Sequence, residues 1–322
     1  MTNLTLRFVL ALIGTLPVVQ AAQSIRIPDA TLRGRLLALG IDANRDGIIQ
    51  DTEAREIEIL DLRNTGIMDA TGLNGFTSLR ILDLANNKLQ RFDTSGLTKL
   101  EDLRIFDNQI TELDLSKLKS LGKLDARFNK LTQLTVPDLP NLTLLSLTSN
   151  PGLASLRLGN LPSLQEFYIA ITQLTAVDLR PFRKLERFEG FDSTLQKIEF
   201  GDNPSLMSIL ASNTSVEVLN LRGLKALKTL SANKCQKLRQ LNTAGAVSLE
   251  QVELDDSGIV SADFTGSPRI REISMMRNPL VELQVRGLAL LEKLECIDER
   301  RPYPSVRQLN LSGTVRLRVL NL

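Results

Sequence analysis

The sequence contains no histidine and no tryptophan, and only two tyrosines and two cysteines among its 322 residues. Without an imidazole group, a Ser-His-Asp triad, a Cys-His pair, an HExxH zinc site and a histidine pH switch are all excluded. Any catalysis would therefore depend on carboxylates, lysine, tyrosine or hydroxyl groups. The hydrophobic fraction of 43% is ordinary, but leucine supplies an unusually large part of it.

The sequence has no marked excess of positive or negative charge. The 39 Lys and Arg residues nearly balance the 37 Asp and Glu residues, which gives a formal net charge of +2. A general nucleic-acid-binding protein needs a basic face, so we expect no nucleic-acid partner. After the first residues, no apolar stretch reaches the roughly 18 residues of a transmembrane helix, so we expect no membrane insertion.

Residues 1–21 have the three regions of a signal peptide. Arg7 supplies the positive region, residues 8–16 are apolar, and Val-Gln-Ala at 19–21 is a small-residue cleavage site. The apolar run is too short for a membrane span, and a buried helix is the alternative interpretation. Pro17 and the abrupt change at Ala22-Gln23 favour cleavage. The sequence therefore predicts export, with secretion, the periplasm and the cell surface as destinations.

From Ile57 onward the sequence repeats with a period of 21 or 22 residues. Each unit carries apolar residues at the spacing LxxLxLxxNxL, and many units add a second LxL. The best-formed units are Leu79-Leu82-Leu84-Asn87-Leu89, Leu100-Leu103-Ile105-Asn108-Ile110, Leu121-Leu124-Ala126-Asn129-Leu131 and Leu142-Leu145-Leu147-Asn150.

The alternating apolar positions of LxL predict a strand with one buried face, and stacked units predict a parallel sheet. The asparagine turns the chain out of the strand, and its amide can bond the backbone of adjacent units. The second LxL predicts a short strand on the opposite side instead of a helix. A right-handed β-helix has units of similar length and is the alternative fold. The asparagine is replaced in several units, by Thr172, Thr214, Cys235 and Ser257.

These units resemble leucine-rich repeats, and the resemblance covers residues 57–322 as about twelve units. The 21-residue form is similar to repeats of bacterial secreted and surface proteins, including the internalin-like group. The resemblance implies a repeat solenoid with a parallel β-sheet and short strands on the opposite side. It also implies a protein–protein interaction module, with adhesion or host-protein binding as one role.

An open solenoid end needs a cap, and residues 22–56 have the pattern of a helical one. Pro28-Asp29-Ala30 is typical of a helix start. The helix that follows has an apolar face made of Leu32, Leu36, Leu37 and Leu39.

The cap also contains a segment, residues 42–53, that matches D-x-[DN]-x-[DN]-G-x5-E at every fixed position. It resembles the calcium loop of EF-hand and dockerin domains. The resemblance implies that Ile49 packs inward and that one Ca²⁺ is bound by Asp42, Asn44, Asp46, the carbonyl of Ile48, Gln50 and Glu53. Only one such loop is present, which favours a structural ion. The alternative is an acidic turn between two short helices.

Cys235 and Cys296 are predicted to be free. They lie three units apart, roughly 15 Å at ordinary strand spacing, whereas a disulfide needs Cα atoms within about 7 Å. We expect both to be buried as small apolar residues.

Positions beside the strand leucines face solvent and form columns across successive units. Aromatic residues on a rigid sheet are typical contact anchors, so aromatics in these columns predict a partner-binding patch. Scattered apolar surface residues are the alternative. The aromatics fall on or beside the columns of the central units: Phe106, Phe128, Tyr168 and Phe191.

The second LxL carries aspartates in several units, Asp93, Asp114, Asp178 and Asp263, with Glu199 nearby. Acid pairs could serve a carboxylate-dependent, carbohydrate-active enzyme on a β-solenoid, which is the alternative function. Bonds to local backbone amides explain the same acids, and nothing in the sequence places them in a pocket. We therefore predict a non-enzymatic module with a protein partner. The sequence stops inside a repeat, at Leu322, which leaves self-association through the C-terminal edge open.

Overall fold

The computed structural model describes residues 22–297 and 306–322, so the predicted signal peptide lies outside the described residues. Within these ranges, two short helices precede the repeats: α1 (Ala30–Ala38) and α2 (Asp51–Ala54). One 3-10 turn, Leu73–Gly75, lies in the first coil. None of the helices in the described part of the chain has the length and apolar character needed to cross a membrane.

The strands of the described residues are three or four residues long. In chain order they are β1 (Ile59–Asp61), β2 (Ile81–Asp83), β3 (Asp102–Arg104), β4 (Lys123–Asp125), β5 (Gln133–Val136), β6 (Leu144–Ser146), β7 (Ser155–Leu158), β8 (Glu166–Tyr168), β9 (Ala176–Asp178), β10 (Arg187–Glu189), β11 (Lys197–Glu199), β12 (Ser208–Leu210), β13 (Val218–Asn220), β14 (Thr229–Ser231), β15 (Gln240–Asn242), β16 (Gln251–Glu253), β17 (Ser261–Asp263), β18 (Glu272–Ser274), β19 (Glu282–Gln284), β20 (Lys293–Glu295), β21 (Gln308–Asn310) and β22 (Val319–Asn321).

One sheet holds the stack together. Over the described residues it has 13 parallel strands in the order β1-β2-β3-β4-β6-β8-β10-β12-β14-β16-β18-β20-β22, one from each successive coil. We call it the main sheet. The middle residue of each strand points inward, as Leu82, Leu103 and Leu124 show by being fully buried. The predicted repeat solenoid with a parallel sheet is confirmed.

The opposite side carries short parallel sheets in the pairings β5-β7, β9-β11, β13-β15 and β17-β19-β21. These are the predicted second strands, but the prediction is wrong for the coil that contains Leu113-Asp114-Leu115, which has no assigned strand. Side chains take over the hydrogen bonds there. The Thr94 hydroxyl donates to the Asp114 carbonyl at 2.5 Å, and the Ser116 N–H donates to the Asp114 carboxylate at 2.8 Å.

Buried asparagines join each coil to the previous one. The Asn129 side-chain N–H group donates to the carbonyls of Ile105 in the previous coil (2.9 Å) and Ala126 in its own coil (3.2 Å). Its oxygen accepts the N–H of Ile110 at 2.9 Å. Equivalent bonds to the previous coil are made by Asn87, Asn108, Asn150 and Asn278. The predicted role of this position is confirmed.

We call this series of equivalent positions the asparagine ladder. Five successive coils have another residue there: the four found in the sequence, and Ser193, which the sequence analysis missed. The hydroxyls of Thr172, Ser193 and Thr214 each donate to a carbonyl of their own coil and to none of the previous coil, although the Thr214 hydroxyl also bonds the Cys235 thiol of the next coil at 3.3 Å. Cys235 and Ser257 still reach a carbonyl of the previous coil, at 3.2 and 2.7 Å. Both cysteines are buried and free, as predicted.

Asn129→Ala is expected to lower the free energy of unfolding by about 2–4 kcal/mol, because it leaves the Ile110 N–H buried without a partner and removes one of the two side-chain donors to the Ile105 carbonyl. The matched variant Thr172→Val stands at the same ladder position but loses one bond within a coil, so about 1 kcal/mol is expected. Urea unfolding of both variants measures the difference. Equal losses would show that the amide does not connect the coils.

Candidate functional site

Four predicted contact residues lie on the outward side of the main sheet. Tyr168 ends β8, Phe106 and Phe191 follow the ends of β3 and β10 by two residues, and Phe128 follows β4 by three. We call these four residues the central patch. Because β3, β4, β6, β8 and β10 are neighbours in register, the central patch extends over roughly 19 Å at about 4.8 Å per strand.

The aromatics of the central patch differ in exposure. Phe128 is 54% exposed, but Phe106, Tyr168 and Phe191 are half-buried. The sequence predicted exposed aromatics at these solvent-facing positions, and three of the four are only partly exposed. Neighbouring side chains cover them, as where the Arg127 guanidinium lies over the Phe106 ring, 5.5 Å from its centroid. The patch is a packed surface, which costs less conformational entropy on binding than loose side chains do.

Ion pairs fix the surface between the aromatics. Arg127 donates two hydrogen bonds to Asp125, at 2.8 and 2.7 Å, which raise the pKa of the guanidinium. The Tyr168 hydroxyl donates to Glu166 and accepts from Arg187. Burial, followed by the hydrogen bond to Glu166, raises the pKa of Tyr168 to about 12. The phenol therefore stays neutral and keeps a fixed direction.

The residue before each ladder position adopts a left-handed backbone conformation. Several coils place Asn or Asp there, the residue types that tolerate it, as at Asn86 and Asn213. Five coils place another residue type there: Ser149, Lys234, Arg277 and the two apolar residues Phe128 (φ 52°) and Ile171 (φ 55°). Ile171 is 39% exposed. A β-branched residue in this conformation is strained, and strain of this kind clusters at functional sites. Sequence analysis missed Ile171, although an isoleucine at an Asn/Asp position was a readable signal.

In the N-terminal cap, Asp29 joins α1 to the first coil. It is the N-cap residue, accepting the N–H of Leu32 at 2.9 Å, and it also accepts the N–H groups of Met68 (2.9 Å) and Asp69 (3.1 Å). Partial burial raises the pKa of the Asp29 carboxyl, but these hydrogen bonds lower it by more, so the pKa lies below its ordinary value. The bonds hold the cap on the solenoid.

The predicted apolar face of α1 is partly wrong. Leu32 and Leu36 are fully buried and Leu37 is packed against the core, but Leu39 is 44% exposed. Leu39 is the C-cap residue, so the chain turns away there and Ile41 is buried in its place.

The predicted calcium loop forms a turn with left-handed residues at Arg45 (φ 62°) and Gly47 (φ 83°). The Asp46 N–H donates to Asp42 Oδ1 at 3.1 Å and to Asn44 Oδ1 at 2.9 Å. The Gly47 N–H donates to Asp42 Oδ2 at 2.8 Å. The side-chain oxygens of Asp42 and Asn44 thus lie near one backbone nitrogen.

The remaining predicted ligands return to the same turn. Glu53 accepts the N–H groups of Ala43 (2.8 Å) and Gln50 (2.9 Å). Asp46 Oδ2 accepts the amide N–H groups of Asn44 (3.0 Å) and Gln50 (2.8 Å). The Ile48 side chain is 47% exposed, and its N–H donates to Asp46.

Carboxylate, amide and carbonyl oxygens are the donors that Ca²⁺ takes. In this loop N–H groups already bond the carboxylates, and across residues 22–297 and 306–322 no three His, Cys, Asp or Glu side chains gather as a metal site. The loop therefore contains the oxygen donors that a calcium ion needs, but they are not arranged around one point. Binding would require the amides of Asn44 and Gln50 to turn their oxygens, not their N–H groups, toward the ion.

The first residues of the cap hold the predicted calcium loop in place. Ile49 is buried (2% exposed), as the sequence predicted. The Ile25 N–H donates to its carbonyl at 2.8 Å, and the Asp51 N–H donates to the Gln23 carbonyl at 2.8 Å. Residues 23–25 therefore pair with residues 49–51 in a short antiparallel bridge.

The acids of the second LxL form turns. Asp93, Asp114, Asp178 and Asp263 each accept the backbone N–H two residues later. Asp93 and Asp114 also line a groove of about 620 Å³, located where the second side lacks paired strands. Backbone hydrogen bonds from Ser95 and Ser116 lower the pKa of both carboxyls, so neither holds the proton that a glycosidase general acid donates.

At the C-terminal end, β22 pairs with β20, and Leu320 is 41% exposed where the equivalent Leu294 is fully buried. Residues 298–305, which break the period, lie outside the described residues. Self-association through this edge stays a prediction.

No protein-family model matches the chain. Over 153 residues it is 30% identical to a probable glycoprotein hormone G-protein coupled receptor of Anthopleura elegantissima, and the match covers 44% of this chain but only 16% of the receptor. An internalin of Listeria monocytogenes is 17% identical with a TM-score of 0.55, covering 91% of this chain and 95% of the internalin. A chain of the LRIM1/APL1C complex is 19% identical with a TM-score of 0.57, covering 75% of this chain and 43% of that chain. The structural similarities show the fold, a parallel β-solenoid of leucine-rich repeat type.

Asp29→Asn is expected to lower the free energy of unfolding by about 1–2 kcal/mol at neutral pH, because the amide cannot accept all three N–H groups. Since the folded pKa of Asp29 is lowered, this stabilisation is present above the unfolded pKa of about 4 and is lost as the pH falls through the folded value. Urea unfolding between pH 7 and pH 3 measures both effects. The matched control is Asp114→Asn, which loses a bond within one turn. If Asp29→Asn lowers the free energy of unfolding by no more than Asp114→Asn does, Asp29 does not join the cap to the solenoid.

Proposed function

We propose that this chain is a protein–protein interaction module that binds its partner on the outward side of the main sheet, at the central patch and the adjoining Ile171. The observation that carries the proposal is the exposed, strained pair Phe128 and Ile171. Their coils are separated by one coil, so the pair lies roughly 10 Å apart at one edge of the central patch. Exposed apolar residues kept in an unfavourable backbone conformation indicate selection for contact over stability.

The comparisons support this proposal at the level of the fold. Leucine-rich repeat chains of similar structure include an internalin and a chain of the LRIM1/APL1C complex, the latter named as a protein assembly. Adhesion or binding of a host protein, and export of the chain after cleavage near Ala22, are the finer parts of the proposal. The signal-peptide pattern of residues 1–21 supports export.

A carboxylate-dependent enzyme is the weaker interpretation. The four aspartates of the second LxL are committed to turns, and the chain has no histidine. We infer a non-enzymatic role because the turn hydrogen bonds lower the pKa of both aspartates that line the groove, whereas a glycosidase general acid needs a raised pKa.

The double variant Phe128→Asn/Ile171→Asn tests the interaction surface. It removes the exposed apolar side chains and inserts a residue type that tolerates the left-handed conformation, so the free energy of unfolding is expected to rise by about 1–2 kcal/mol. Peptides selected on the wild-type chain from a displayed random-peptide library are expected to bind the variant at least tenfold more weakly.

The matched control is Val218→Ala/Val260→Ala, which removes exposed apolar side chains from the opposite side. Selected peptides are expected to bind it as they bind the wild type. If every selected peptide binds the asparagine variant unchanged, the main-sheet surface is not the binding site. Calorimetric unfolding separates a lost contact from a lost fold.

We also propose that the loop from Asp42 to Glu53 binds one structural Ca²⁺. Calcium at 100 times its dissociation constant is expected to add about 2.7 kcal/mol to the unfolding free energy of the wild type. Asp46→Ala is expected to lose that increment, while Asp114→Asn keeps it. Thermal unfolding with Ca²⁺, with Mg²⁺ and with a chelator provides the measurement. If calcium does not shift the melting curve of the wild type, the loop binds no ion and is an acidic turn.

A further inference from the structure

One acid of the main sheet departs from the pattern of the others. Six coils place a carboxylate at the third strand position: Asp61, Asp83, Asp125, Glu189, Glu253 and Glu295. Five of them have partners in the described residues. Asp61 and Asp125 bind the arginine two residues later, Asp83 lies near two arginines, Glu253 accepts from Ser231, and Glu295 binds Lys293. The side-chain carboxylate of Glu189 has neither a hydrogen bond nor an ion pair within those residues.

The local sequence explains the difference. Where Asp61 and Asp125 are followed at the second residue by Arg63 and Arg127, Glu189 is followed by Phe191. The position that supplies a guanidinium to the acid in other coils supplies an aromatic ring in this one. Glu189 is nevertheless half-buried, and an acid that is partly desolvated without a partner is unfavourable.

The cations near Glu189 are committed elsewhere. Arg187, on the same strand, binds Glu166 and the Tyr168 hydroxyl. Arg127 binds Asp125 through two hydrogen bonds. On the strands that pair with β10, β8 contributes Glu166 and Tyr168, and β12 contributes no titratable group. Burial and then the charge of Glu166 raise the pKa of Glu189, against weaker opposing effects of Arg127 and Arg187.

The neighbourhood of Glu189 has the other parts of a guanidinium site. In register, Glu189 lies between Tyr168 on β8 and Leu210 on β12, and all three side chains are half-buried. The same sheet shows the complete arrangement at the other end of the central patch, where Arg127 bonds a carboxylate and lies over the Phe106 ring. A planar guanidinium suits both contacts better than an ammonium does.

We propose that Glu189 binds an arginine side chain of a protein partner, with Tyr168, Phe191 and Leu210 forming the surrounding contact surface. The inference rests on the proposed interaction function and names the chemistry of its central contact. The Ile171 N–H donates to the Phe191 carbonyl at 3.0 Å, so the Glu189 site is continuous with the apolar edge that carries the proposed function.

The test uses individual peptides selected on the wild-type chain from the displayed random-peptide library. Peptides that bind the central patch are expected to share an arginine. Glu189→Gln is expected to weaken such a peptide about 10- to 100-fold, and to have no effect on the same peptide with its arginine changed to alanine. The control Glu253→Gln, at the same register position but with partners of its own, is expected to bind the peptide as the wild type does.

The pH dependence gives a second readout. Because arginine binds the ionised carboxylate, affinity for the wild type is expected to be full at pH 7 and to fall as the pH drops through the pKa of Glu189. The same pH series on Glu189→Gln is the control, so a fall that is smaller in the variant assigns the difference to Glu189.

Peptides that depend on Phe128 and Ile171 but lack arginine, and bind Glu189→Gln as they bind the wild type, would overturn this inference and leave the interaction function standing. If no selected peptide responds to the Phe128→Asn/Ile171→Asn variant, both fail. Calorimetric unfolding of Glu189→Gln verifies the fold, which is expected to be as stable as the wild type or slightly more stable.

Discussion

The amide of the ladder asparagine is the contact on which the stacked coils depend. Where a coil leaves the main sheet, its backbone groups are buried and cannot reach water, so each needs a partner inside the protein. An asparagine supplies a donor and an acceptor together, and Asn129 uses both on the previous coil, where it donates to the Ile105 carbonyl and accepts the Ile110 N–H. This requirement, repeated at each coil, fixes the period. The period in turn aligns the outward residues of successive coils into columns.

The coils without a ladder asparagine show that a buried carbonyl always needs a donor, but that the donor need not come from another coil. From Thr172 to Ser257, hydroxyl and thiol groups still satisfy a carbonyl, but three of the five do so only within their own coil. The strand pairing of the main sheet continues through all of these coils. Cohesion there rests on the sheet and on buried apolar contacts. Tyr168, Ile171, Glu189 and Phe191 lie in the first two of these coils, so the surface departs from the repeat where the ladder does.

Much of the fold could be predicted from the sequence because it follows from spacing. The LxL and Asn positions recur at a fixed interval, and stacking converts that interval directly into a parallel sheet. The missing strand at Leu113–Leu115 could not be predicted, because it depends on which partner the Asp114 carbonyl accepts from. The exposure of Leu39 depends on where α1 ends. Phe106 is half-buried because Arg127 of the next coil lies over it, a contact that no single unit reveals.

The candidate site follows a different logic from the fold, since it consists of departures from the repeat. A residue that matches the consensus satisfies a structural need shared by all coils and says little about a ligand. Ile171 occupies a position that suits Asn or Asp, and Phe191 occupies a position where two other coils place an arginine beside an acid. Each substitution is unfavourable for the isolated chain, the first through backbone strain and the second by leaving Glu189 without its cation. Both costs fall within two adjacent coils and face the same way. A partner that covers the isoleucine and supplies the cation would offset both costs at once.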